Sequence, residues 1–70
     1  MSRNYRDDII KASMDYMQAQ AGKHKMNIDI LISSNVGVAE HPDVMETIEK
    51  ELEKMAEYHD KYEMLEKYFK

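Results

Sequence analysis

The sequence predicts an all-α fold, an antiparallel two-helix hairpin that associates into a helical bundle, and three observations carry that expectation. Apolar residues recur at alternating steps of three and four in both halves of the chain. The turn-forming residues gather in one place near the middle, and the two periodic halves match in length. The spacing places a helix over 4–33, a connector over 34–42 and a helix over 43–69, together forming one domain over 1–70. At ~1.5 Å per residue each helix is about 40–45 Å long, as a hairpin requires.

In the first half, Asn4 with Asp7 and Asp8 supplies a capping oxygen and acids suited to the positive end of a helix. From there Ile10, Met14, Met17, Ala21, His24, Ile28 and Leu31 follow one another by fours and threes, a heptad seam. Beside them runs a second series, Ile9, Ala12, Tyr16, Ala19, Lys23, Met26 and Ile30. Two stripes make an apolar face wider than one helix–helix contact needs, which points to association beyond the hairpin. Gly22 is a weak point, since glycine costs about 1 kcal/mol relative to alanine inside a helix. The β-branched run Asn27-Ile28-Asp29-Ile30-Leu31-Ile32 also partly alternates like a strand. The heptad phase nevertheless holds through Gly22, so a continuous helix is expected.

In the connector, Asn35 and Gly37 can take the left-handed conformation that ends a helix, and Val36, Val38 and Ala39 are expected to fold back over the hairpin end. Pro42 and Asp43 suit the start of the next helix, with Asp43 and Glu46 spaced for a reciprocal cap. Glu40, His41 and Asp43 also place two carboxylates and an imidazole within four residues, a candidate metal-binding set. No other residues complete a ligand spacing, and helix capping accounts for Asp43 without a metal.

The second seam reads Met45, Ile48, Leu52, Met55, His59 and Tyr62, continued by Leu65 and Phe69. Folding about the connector puts Leu31 opposite Met45, Ile28 opposite Ile48, His24 opposite Leu52, Ala21 opposite Met55, Met17 opposite His59 and Met14 opposite Tyr62. Acid–base pairs four residues apart, Glu46–Lys50, Glu57–Lys61, Glu63–Lys67 and Glu66–Lys70, support the helix from outside. Glu49, Glu53 and Glu57 form an acidic stripe. The seam histidines are expected to set register through hydrogen bonds, or to respond to pH, and the aromatic residues Tyr5, Tyr16, Tyr58, Tyr62, Tyr68 and Phe69 to crowd the open end of the hairpin.

Composition narrows the function. Cysteine is absent, so neither disulfides nor thiolate metal sites can staple a chain of 70 residues, and a partner chain is the remaining support. Residues 1–35 carry five Lys/Arg against four Asp, whereas residues 36–70 carry five Lys against ten Asp/Glu. An acidic half argues against a phosphate-backbone footprint. No apolar run reaches a membrane span, and Met1–Asp8 lacks the core of a signal peptide, so a soluble cytoplasmic chain is expected. No nucleophile–base pair or phosphate loop marks an enzyme, and no cofactor is expected.

At Val36-Gly37-Val38-Ala39-Glu40-His41-Pro42-Asp43-Val44-Met45-Glu46, and on through Glu57-Tyr58-His59-Asp60-Lys61-Tyr62-Glu63, the chain resembles small uncharacterised proteins encoded by contractile-tailed marine cyanophages and related environmental viral sequences. The likeness covers most of the chain from His24 onward, and Gly37 to Asp43 is its most specific piece. That family lends no activity, so no residue inherits a role from it. The resemblance implies a viral or marine origin and action inside an infected bacterium. The sequence therefore reads as a non-enzymatic interaction or assembly protein that self-associates, a dimer being favoured. The alternatives are a small regulator or adaptor of a host or phage protein, and a metal-binding protein built on Glu40, His41 and Asp43.

Overall fold

In a computed structural model of the chain, residues 5–33 and 43–70 are described. They form two helices, α1 (Arg6–Ser33) and α2 (Asp43–Tyr68), packed against each other as an all-α hairpin. The features expected of the connector, including helix termination at Asn35 or Gly37 and the ligand candidates Glu40 and His41, lie outside the described residues.

α1 begins where Asp7 and Asp8 sit in its first turn, and α2 where Asp43 and Glu46 do, each pair facing the positive end of the helix dipole. The reciprocal cap expected of Asp43 and Glu46 is replaced by other bonds. Asp43 is already the first helical residue, and its carbonyl accepts a bond from the Thr47 hydroxyl at 2.9 Å. Glu46 meanwhile approaches Lys50 at 3.7 Å. At the far end Lys67 lies in the last turn of α2, suited to the negative pole.

α1 is unbroken through Gly22 and through the β-branched run after it. Helix wins there because Ile28 is buried and Leu31 half-buried on the face turned to α2. A strand would send alternate residues to opposite faces and lose that burial.

The helices run antiparallel. The Arg6 guanidinium donates to the Phe69 carbonyl at 2.7 Å, and His24 meets Glu51, so the residue numbers of both pairs add to 75. The expected layers, built on numbers adding to 76, therefore have the right register to within one residue. Met14 and Tyr62 do line one groove.

The rotation of α2 is different from that expected. On α1 the positions turned inward are Ile10, Met14, Met17, Ala21, His24, Ile28 and Leu31, together with Ser13, Gln20 and Asn27. On α2 they are Val44, Ile48, Glu51, Met55, Tyr58, Tyr62 and Leu65. Met45, Leu52, His59 and Phe69, assigned to the seam from sequence, are exposed, Met45 by 78%. Val44, Glu51 and Tyr58 take the places of the first three. Among the described residues only Met14 and Ile28 are buried, at 6% and 8% exposure.

Two outcomes test this packing. Met14→Ala empties one of the two buried sites and should cost about 2–5 kcal/mol in denaturant unfolding. Gly22 is helical with nothing within 4 Å of where a Cβ would stand. Gly22→Ala should therefore stabilise the chain by about 0.5–1 kcal/mol in the same measurement, and a loss of stability would mean the site is tighter than this.

Candidate interaction surface

The inward face of the hairpin carries one polar layer. His24 Nδ1 lies 2.5 Å from Glu51 Oε2, and Asn27 Nδ2 donates to the same oxygen at 3.1 Å. Asn27 lies three residues beyond His24 on α1, a spacing that helical twist places on the same side. A carboxylate can only accept, so the His24 Nδ1 carries the proton, and in the neutral ring Nε2 is left as the acceptor. The side chains of His24 and Glu51 are only 12% and 23% exposed. Hydrogen bonds from His24 first, then from Asn27, hold the Glu51 carboxyl below the ordinary carboxylate range.

Aromatic rings close the layer on one side. The Tyr58 ring is stacked on His24, with centroids 6.0 Å apart and planes 10° from parallel. Tyr16 meets Tyr58 edge to face at 6.3 Å. The Lys61 ammonium stands 5.2 Å from the Tyr58 centroid and bonds Glu57 at 3.0 Å, which raises the Lys61 pKa and lowers that of Glu57. These tyrosines thus sit along the hairpin rather than at its open end. Tyr5, Tyr68 and Phe69, which do lie near the end, are exposed.

Glu51 and Asn27 escaped the sequence reading. Two heptad tracks through α2 were available, one through Met45, Leu52 and His59 and one through Val44, Glu51 and Tyr58, sharing Ile48, Met55 and Tyr62. Each is interrupted by a single polar residue, His59 or Glu51. The usable signal was complementarity: Glu51 stands across from His24, whereas Leu52 there would leave the imidazole without a partner.

His59 instead approaches its own helix neighbour Glu63 at 3.1 Å, with both side chains mostly exposed. That diverts Glu63 from the expected pair with Lys67. The two histidines therefore belong to different carboxylates. Among the described residues no group of three or more His, Cys, Asp and Glu side chains could hold a metal ion.

Two grooves flank the open end. One, of about 590 Å³, is lined by Asp7, Ile10, Lys11, Met14, Asp15, Tyr62 and Lys70. Its Lys11 is bonded to Asp15 at 2.7 Å, and that bond raises the Lys11 pKa. The other lies between Arg6, Ile9, Ile10, Leu65 and Phe69. Neither contains a nucleophile with a base beside it.

The second stripe of α1 is uncovered. Ile9, Ala12, Tyr16, Ala19, Lys23, Met26 and Ile30 are all exposed along the flank and back of the helix. Exposure is 63% at Ile9, 64% at Met26 and 62% at Ile30, high values for such large apolar side chains. On α2 the exposed Met45 and Leu52 alternate with Glu49, His59 is followed by Glu63, and Met64, Tyr68 and Phe69 are exposed toward the C-terminus.

No protein-family model matches the chain, and comparison with curated proteins and with solved structures finds no match. Among the described residues no helix is long and apolar enough to cross a membrane.

The polar layer predicts a pH dependence with a definite sign. Because the folded pKa of Glu51 is depressed, its contribution to stability is complete above the unfolded value of a glutamate and is lost as pH falls through the folded value. Glu51→Gln should therefore lower the melting temperature at pH 7, and the gap to wild type should close as the pH is taken down through the acid range. A gap that is the same at pH 7 and pH 2.5 would show that the charge on Glu51 contributes nothing.

Proposed function

We propose that the chain is a non-enzymatic interaction or assembly protein that self-associates through an apolar helix face. The observation that carries this reading is the row Ile9, Met26 and Ile30, each more than three-fifths exposed on a helix whose adjoining face is already spent on α2. Among the described residues only Met14 and Ile28 are buried, so the hairpin has little core of its own, and association is a support open to a chain of 70 residues without cysteine. Burial of apolar surface between copies would supply it.

Light scattering on the purified protein tests this. The expected mass is a multiple of 8.3 kDa, with the dimer favoured. Met26→Glu should return it to the monomer, because a charge on the stripe would have to be desolvated in any contact that covers it. Met17→Glu, on the face turned to α2, should instead unfold the chain. A wild-type monomer at every concentration would sink the proposal.

A regulator or adaptor that binds a host or phage protein is the second reading. Met45 and Leu52, exposed beside the carboxylate of Glu49, give such a partner an apolar contact with an acidic border. That reading requires a heterologous complex that survives Met26→Glu.

A further inference from the structure

The exposed stripe of α1 is centred on Ala19, ends in isoleucine on both sides, and pairs a large residue with a small one between. From the centre at Ala19 outward, the pairs are Tyr16 and Lys23, Ala12 and Met26, and Ile9 and Ile30. We infer that the stripe is the interface with a second copy of this chain, the two α1 helices running antiparallel across a two-fold axis beside Ala19. This rests on the self-association reading above and adds to it the face, the partner and the orientation.

Self-complementarity is the first argument. A two-fold interface presents the same patch from both partners, so each residue must suit its counterpart. In the antiparallel arrangement the long Met26 side chain lies over Ala12 of the other copy, large against small. Ile9 meets Ile30 at both ends, apolar against apolar. The Lys23 ammonium comes to Tyr16 of the other copy, where its stem covers apolar surface and its charge meets an aromatic face. Ala19 against Ala19 lets the helix axes approach closely at the centre. A parallel pair would instead set Lys23 against Lys23 and Met26 against Met26, with Ala12 facing only its own small copy.

Charge is the second argument. α1 carries four Lys/Arg and four Asp, whereas α2 carries four Lys against nine Asp/Glu. An α1–α1 contact joins the two neutral helices and leaves the acidic ones on opposite outer faces of a four-helix layer. Association through α2 would bring two acidic helices together, with Glu49 and Glu53 near their copies. The α1 stripe is also interrupted by one charged residue, Lys23, while the exposed track of α2 is interrupted by Glu49 and Glu63.

The absence of cysteine makes the test clean. Single-cysteine variants Ala19→Cys, Ala12→Cys and Met26→Cys, checked for helicity by circular dichroism, are treated with a short thiol–thiol crosslinker at a concentration where light scattering shows the wild-type oligomer. Ala19→Cys should give a covalent dimer, and Ala12→Cys co-refolded with Met26→Cys should give the mixed one. Ala12→Cys alone should crosslink about tenfold less, because its copies stand ~20 Å apart along the axis, beyond the reach that gives a high effective concentration. Efficient crosslinking of Ala12→Cys to itself would overturn the antiparallel orientation. A stable oligomer without crosslinking at Ala19→Cys would overturn this interface while leaving self-association standing. A wild-type monomer would remove both.

Discussion

Two helices touch along one line, and that constraint governs this molecule. A hairpin can turn inward only the residues near the contact line, roughly a third of each helix. Here α1 spends Ile10, Met14, Met17, Ala21, Ile28 and Leu31 on that line and still has Ile9, Met26 and Ile30 left over. The surplus follows from the sequence and does not depend on how α2 is rotated. Rotating α2 changes which of its own residues are covered, but no rotation of one partner helix can cover both stripes of α1.

What fixes the rotation is polar. A contact of apolar side chains alone would accept either heptad track of α2 at similar cost, since both contain Ile48, Met55 and Tyr62. The His24–Glu51–Asn27 layer removes the degeneracy. It satisfies a half-buried imidazole and a half-buried carboxylate with each other, while the alternative sets Leu52 across from His24 and removes the imidazole's partner. A polar group inside a helical seam commonly selects one arrangement among several, at some expense of stability. Tyr58, stacked on His24, adds an aromatic contact that exists only in this rotation.

Much of this was legible in the residues. The heptad phase through Gly22 argued for one unbroken helix, and the equal lengths of the two halves set the register to within one residue. The surplus face of α1 could be counted directly. The rotation of α2 was not legible from apolar periodicity, because hydrophobicity ranks Leu52 above Glu51 and ignores who stands opposite. The single row of acid–base pairs also misled at Glu63, where His59 sits one turn before it and competes with Lys67. In both cases a histidine decided the outcome by recruiting a carboxylate, a choice made by neighbours in space and only partly by neighbours in sequence.

One face of α1 builds the hairpin around a specific polar layer, and we propose that the stripe beside it is covered by a second copy. On that proposal the two are coupled, since covering the stripe would add apolar burial to a hairpin that has little among its described residues. Thermal melting over a range of protein concentrations tests this most directly. If the α1 stripe is covered by another copy in the folded state, the melting temperature rises with concentration, as mass action demands when folding and assembly are linked. A melting temperature that is the same from micromolar to millimolar concentration would mean that the hairpin stands alone, and would contradict the account.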